Sequence, residues 1–449
     1  MHSRLNFVQS RLQWGQAYLH HWDIMVTDKT KSMGVLVNHS QQQHIPVWAT
    51  ALLLVGIASL YISPVEFNKQ DIWLPNFEVT TLHNMVVLIC ALPYILYAGL
   101  RQWASPIFIF WVILLMLTFT LSSPPPHLSA FHSVLAFFSL LLAPLLYQVR
   151  FHPTLKTYIL RGLAIYPLVS LICAPLLSLV SDVEFGYLEY GFIPRWHGTG
   201  NGMYTAVVCL LAMISSIILA RQHRGYWKWV LFAYIMLLAT GTRSAIMCFP
   251  LVFIPEAIRQ YWQYRQTQNR AQAKRAILFG AVIVTIFVAY SPLVFIRSTY
   301  CQECNPVLLL MTAQNNLFLV DKSGFNSSGR FETWGQFIER GMVNPLFGLG
   351  LGAGGSDLLS NRYYHTPHNE LIRLFVDGGL IGLIGGVLAY GLTFWGAYRL
   401  AKPSYKGYVL VLMVIYMMTA FFSNPLSVQE MAVPFWVMLG VVVGLDDAA

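Results

Sequence analysis

The sequence predicts an all-α polytopic membrane protein with roughly twelve transmembrane helices and one long outward loop that itself contains helices. Three observations carry that prediction. Of the 449 residues 56% are hydrophobic and 10% charged, with a mean hydropathy of +0.56, whereas soluble domains carry about 25% charged residues. Long apolar runs recur from residue 45 to residue 445. Lysine and arginine sort between alternate connections, as the positive-inside rule requires. Together these exclude a string of soluble domains.

Residues 1–44 are polar and lack a compact apolar core with a small-residue cleavage site, so they read as a cytoplasmic leader and not a cleaved signal. Leu5, Val8, Leu12, Leu19 and Trp22 share one helical stripe. The leader is therefore either a helix in the membrane interface or a loosely ordered tail. A span needs about 20 apolar residues. Candidates lie near 45–64, 82–100, 104–122, 128–148, 157–180, 200–220, 226–241, 243–260 and 276–297, which makes 45–297 the first nine helices. After a loop over 298–367, helices ten to twelve follow in 368–449, near 368–398, 407–423 and 431–445.

One set of connections holds Lys29 and Lys31; Arg101; Arg150 and Lys156; Arg221, Arg224 and Lys228; five basic residues from Arg259 to Arg275; and Arg399, Lys402 and Lys406. These face the cytoplasm. The formal net charge of +9 is thereby explained by topology and by contact with membrane lipids, and it gives no support to nucleic-acid binding. Residues 298–367 form the one long outward connection, and a loop of that length is usually functional. Within it Cys301 and Cys304 would lie on the oxidising side, where a local disulfide or free thiols are the two readings. No metal-ligand spacing accompanies them. The other four cysteines fall in apolar spans and read as packing residues.

Four polar clusters interrupt the apolar pattern, and all four map to the outward side. The first, "IPRWHGTGN", holds Arg195, His197 and Asn201, and the second, "TGTRSA", holds Arg243. Arg243 follows a tight turn between two apolar spans, where a charge is costly unless it faces a cavity, meets a partner or snorkels to the interface. The third, "NSSGRFETWGQF", predicts a helix capped by Ser327 or Ser328, opened by Arg330, striped by Phe331, Trp334 and Ile338, and ended by Gly341 and Asn344-Pro345. A guanidinium at a helix N-terminus favours an anion, and a rim salt bridge to Glu332 or Glu339 is the competing reading. The fourth, "HTPHNELIR", places His365, His368 and Asn369 at the mouth of a span, with Glu370 and Arg373 one turn apart and expected to pair. Histidine suits proton transfer near neutral pH, although at a membrane boundary it also serves as a simple hydrogen-bonder.

Arginines and a histidine at a membrane surface, without a nucleotide or metal motif, fit transfer from a lipid diphosphate donor. The arginines would stabilise the leaving diphosphate while histidine deprotonates an attacking hydroxyl. A transporter would instead place its polar residues near the bilayer midplane, in broken helices.

The segment "HTPHNELIRLFVDGGLIGLIG" resembles the O-antigen ligase and O-antigen polymerase family of bacterial envelope glycosyltransferases, with His368-Asn369, nine residues, Gly379 and then Gly382 in that family's spacing. "SSGRFETWGQFIERGMVNPLFGLGLGAGG", "TGTRSA" and "RWHGTGNGMYTA" are similar to its other motifs, so the resemblance covers roughly residues 190–390. It departs at "GNGMYTA", where many members carry an Asn-Pro-like turn. The resemblance implies a GT-C-like, metal-independent and cofactor-free transferase in the bacterial inner membrane. Its periplasmic face would take an undecaprenyl-diphosphate-linked glycan donor and a lipid A core or glycan acceptor. It further implies His368 as general base and Arg243 and Arg330 on the diphosphate, with Arg195, His365, Asn369 and Trp334 as substrate-binding candidates. A protein O-oligosaccharyltransferase would share this donor, and a polysaccharide transporter or flippase is the alternative outside enzymes.

Overall fold

The computed structural model describes residues 45–62, 79–98, 106–122, 151–179, 185–189, 193–198, 202–267, 330–353, 367–423 and 429–445, with a few single positions between 137 and 147 and between 274 and 285. The leader, His365, Cys301 and Cys304, and most of the spans expected near 128–148 and 276–297 lie outside these residues. Residues 46–449 belong to one compact unit. In chain order the elements are α1 (Val47–Ile62), α2 (Val79–Ala98), α3 (Pro106–Leu121), α4 (Pro153–Ser178), β1 (Gly186–Glu189), β2 (Ile193–Trp196), α5 (Gly202–Ala220), α6 (Trp227–Thr240), α7 (Arg243–Cys248), α8 (Ile254–Thr267), α9 (Arg330–Gly341), α10 (Glu370–Leu400), α11 (Lys406–Phe422) and α12 (Gln429–Val443). The protein is mostly helical, and its one departure from the all-α expectation among the described residues is the antiparallel β1–β2 hairpin.

Among the described residues, three helical stretches are long and apolar enough to cross a membrane by length and composition: Pro153–Leu176, Gly202–Ala220 and Glu370–Leu400. Shorter apolar helices cover Val47–Gly56, Pro106–Leu121, Lys406–Phe422 and Met431–Val443. The span expected near 243–260 is not one helix. It divides into α7, a 3-10 segment at Phe249–Phe253 with Pro250 in its first turn, and α8. Proline lacks the N–H an α-helix needs in its interior, which explains the change of winding.

Contacts at the helix ends fix which ends lie together. Past the C-terminus of α5, Arg221 Nε donates to Glu256 Oε2 at 3.2 Å, and its guanidinium lies over the rings of Tyr405 and Tyr408 at 5.0 and 5.3 Å. At the N-terminus of α5, Gly202 O accepts the Thr242 hydroxyl at 3.1 Å. Helix α11 starts beside Arg221, packs on α7, and at its far end sets Phe421 edge-on to Trp334 at 5.5 Å. Gly202, Thr242, Phe421 and Trp334 therefore mark one end of the bundle, opposite the end that holds Arg221, Glu256 and Tyr408.

Helix α10 is broken. Gly379 has φ 61° and ψ −153°, outside any helix. A Cβ on Gly382 would fall 2.7 Å from Leu374 O, and one on Gly386 2.7 Å from Leu374 Cδ1. On a continuous helix residues eight and twelve apart are separated by about 12 and 18 Å. The chain thus doubles back at Gly379, and residues 370–378 form a short arm packed on the 380–400 limb. This corrects the single span expected near 368–398.

The break strands backbone groups that have no helical partner, and in a membrane bundle each would cost several kcal/mol if left unpaired. The loop "NPLFGLG" after α9 supplies the partners. Leu349 N–H donates to Val376 O at 2.8 Å and Gly350 N–H to Asp377 O at 2.9 Å, while Leu380 N–H donates to Pro345 O at 2.8 Å and Ile381 N–H to Leu346 O at 3.3 Å. Side chains cannot fit in this seam. A Cβ on Gly348 (φ 73°) would lie 2.5 Å from the Asp377 carbonyl, and one on Gly379 would lie 2.4 Å from Leu346 C. Gly379→Ala and Gly348→Ala should each sharply lower the yield and melting temperature of the purified protein, because strained backbone and a backbone clash coincide. Gly391→Ala, on the same limb with open space around its Cβ position, should be neutral or stabilising by about 0.5–1 kcal/mol. Thermal unfolding of the three variants in one detergent checks this, and equal behaviour of Gly379→Ala and Gly391→Ala would refute the seam.

Candidate functional site

The arm of α10 begins at a strained turn. His368 is the only non-glycine residue with positive φ (47°) among the described residues, a conformation costly for an L-residue and often retained at functional sites. Sequence reasoning put His368 in the first helical turn. The structure places it two residues before the helix, because Asn369 occupies the N-cap. Asn369 Oδ1 accepts from Leu371 N–H at 3.0 Å and from Ile372 N–H at 3.2 Å. An Asn directly before an apolar helical run is a capping signal, so this role was readable from the sequence alone. Asn369 was expected to bind substrate, but its carbonyl oxygen is committed to the cap.

Two further contacts hold the turn. Trp334 Nε1 donates to Pro367 O at 2.7 Å, which gives this substrate-binding candidate a positioning contact one residue before His368. Below the turn, Arg373 pairs with Glu370 through both Nε and Nη2, and its Nη1 reaches Asp377 Oδ2 at 3.3 Å. The expected Glu370–Arg373 pair is present, and Asp377 extends it to a triad at 0–3% exposure. Both ends of the arm are thereby tied through one guanidinium. A pair this buried is costly to break from one side.

Helix α9 spans the predicted residues, but its packing face differs from the predicted stripe. Ile338 is 44% exposed, whereas Phe337 is 2% exposed in a cluster with Leu349, Ala353 and Val376. The buried stripe is Thr333, Phe337 and Gly341, and a Cβ on Gly341 would lie 2.6 Å from the Phe375 ring. A threonine and a glycine do not announce a packing face, so hydrophobicity chose the neighbouring stripe. Arg330 opens α9 one turn before Trp334.

A second group of predicted residues gathers around the N-terminus of α5. Arg195 lies on β2 in register with Tyr187. A Cβ on Gly202 would meet Trp196 O at 3.2 Å and Thr240 O at 3.6 Å, so β2, α5 and the end of α6 converge there. Gly241 takes φ 60° as the α6 C-cap, and Arg243 then opens α7. Helix α11 packs on both α7 and α10 and so links this group to the His368 turn. The side chains of Arg195, Arg243 and Arg330 lie outside the described residues. Among those residues no cluster of three metal-ligating side chains occurs.

Glu370, Arg373 and Asp377 are buried within a broken helix, a feature that sequence reasoning reserved for transporters. The fold-back carries them inward, and periodicity cannot see it.

No curated protein matches the chain. A family model described as O-Antigen ligase matches residues 228–387, a segment that contains α7, α9, the "NPLFGLG" loop, the His368 turn and the break at Gly379. Over that segment the protein is similar to the O-antigen ligase family, a likeness that points to a ligase- or polymerase-type glycosyltransferase acting on glycan and lipid substrates.

Proposed function

We propose that this protein transfers a glycan from undecaprenyl diphosphate to a sugar hydroxyl of the lipid A core, at the periplasmic face of the bacterial inner membrane, within a bundle of about twelve spans. The observation that carries the reading is the His368 turn: a histidine held at positive φ, between a capping asparagine and the Trp334 contact, inside the segment that matches the family. His368 takes the proton from the acceptor hydroxyl as its oxygen attacks the anomeric carbon. The bond from that carbon to the diphosphate oxygen breaks, and the electron pair leaves on the diphosphate. Arg243 and Arg330, which open helices at the same end of the bundle, hold that charge, with Arg195 in support and His365 orienting the acceptor. At an effective dielectric of about 20 each close charge pair is worth on the order of 4 kcal/mol before desolvation. Donor activation thus needs no metal. A growing glycan as acceptor would make the same chemistry a polymerase.

In a purified transfer assay, His368→Ala should lower turnover by about 10²–10⁴ and leave donor binding intact, with His365→Ala milder. Arg243→Ala and Arg330→Ala should lose donor binding and most activity, and the lysine replacements should recover little, since a point charge cannot reproduce a bidentate fork. Alanine variants with normal transfer at matched protein levels would remove these residues from the chemistry.

Trp334→Phe keeps an aromatic ring beside Phe421 but loses the bond to Pro367. Its turnover should fall while its melting temperature stays close to wild type, and unchanged turnover would show that the bond does not position His368. For sidedness, single cysteines at Ser327 and Ser356 in an otherwise cysteine-free protein should react with an impermeant maleimide added to the periplasm. Reaction only from the cytoplasm would invert the topology.

A further inference from the structure

The end of the bundle opposite the His368 turn is strongly cationic among the described residues. Its carboxylate there is Glu256, which already takes the guanidinium groups of both Arg221 and Arg259. Beside it, where Gly407 packs on Pro255, the turn from α10 to α11 carries three more cations: Arg399 in the last turn of α10, Lys402, and Lys406 at the start of α11. Neither Arg399 nor Lys406 forms an ion pair with a described residue. Each is held over an aromatic ring instead. The Arg399 guanidinium lies 5.8 Å from the Trp395 ring and Lys406 Nζ lies 5.0 Å from the Tyr398 ring. Those two rings stack on each other, with centroids 6.3 Å apart and planes 23° apart. Such contacts fix where the cations stand without cancelling their charge.

The turn also lies where a lipid headgroup would. Residues 380–400, at 1.5 Å per residue, span about 30 Å, the thickness of a bilayer's hydrocarbon core. Along that limb Ile384, Leu388, Leu392 and Trp395 are all exposed and follow one another at helical spacing, so one apolar face ends in a tryptophan and the cations come directly after it. Helix α11 adds a second demand for negative charge. Its N-cap, Tyr405, makes no side-chain bond, and its first turn holds no acidic residue, while Lys406 opposes the helix dipole there. A free phosphate would use the cations and leave the apolar face unused. A phospholipid uses both.

We propose that the α10–α11 turn is a binding site for an anionic phospholipid of the adjoining leaflet, with the phosphate among Arg399, Lys402 and Lys406 and the acyl chains along Trp395 and Leu392. This site is independent of the reaction assigned above. It also goes beyond the sorting of basic residues between connections, which requires charge in a loop but no fixed placement of it.

The test uses the full-length protein in a non-ionic detergent. Added phosphatidylglycerol should raise the melting temperature by about 2 °C or more, whereas phosphatidylcholine should not, and the rise should shrink in high salt. The double variant Arg399→Gln/Lys406→Gln should keep its lipid-free melting temperature within about 1 °C of wild type and lose most of the rise. Lys402→Gln alone should lose part of it. Arg224→Gln/Lys228→Gln removes two cations at the same end of the bundle and should retain it. Three results would overturn the proposal: equal stabilisation by phosphatidylcholine, which would leave only apolar contact; equal loss in both double variants, which would mean diffuse attraction and no site; or equal stabilisation by inorganic phosphate, which would make the ligand a free anion.

Discussion

Every backbone group inside a membrane bundle must find a partner, and in this protein that constraint is met at one seam, where the loop over residues 344–350 closes the break in α10. Because the loop supplies two N–H donors to Val376 and Asp377 and two carbonyls to Leu380 and Ile381, the chain can reverse at Gly379 with these four groups paired. The arm at 370–378 exists only because of that reversal. So do the inward placement of Glu370, Arg373 and Asp377, the contact between Phe337 and Val376, and the position of His368 at the arm's start. Glycine at 348 and 379 is a steric requirement of the seam and not a mark of flexibility.

The arm changes how the charged residues are to be understood. Four cationic clusters at one end of a bundle suit surface chemistry on a lipid diphosphate, and the segments opened by Arg243 and Arg330 retain that placement. The buried triad does not: it sits in a broken helix, as ion-coupled transporters arrange their sites. Here the guanidinium ties both ends of a nine-residue arm to each other, so the charges brace the turn that carries His368. A bracing role needs rigidity, whereas coupling to transport needs the pairs to exchange.

Much of the fold was legible in composition and periodicity. The apolar runs located the helices at 153–178, 202–220 and 406–422 to within a few residues, and Gly341 and the Thr-Gly-Thr turn marked real helix ends. Local chemistry carried those predictions, since span length, caps and glycines act over a few residues. The misses are long-range. Hydrophobicity favoured Ile338 because nothing in α9 alone reveals that Phe375 requires a glycine at 341. The 368–398 run read as one span because Gly378-Gly379 within an apolar stretch looks like an ordinary tolerated pair until "NPLFGLG" is seen to dock on it. The cap made by Asn369 is a local signal, legible in its place directly before the helix. The family motifs were recognised as two separate glycine-bearing segments, and the structure supplies the reason they occur together: each completes the backbone of the other.

The most direct test of the account is to reconstitute the wild-type protein in liposomes, with an undecaprenyl-diphosphate-linked glycan and lipid A core in the bilayer and a chelator present, and to follow both the glycan and the lipid carrier. The account predicts glycan covalently attached to the acceptor, with one undecaprenyl diphosphate released per transfer. Movement of intact donor between leaflets without any transferred product would contradict it.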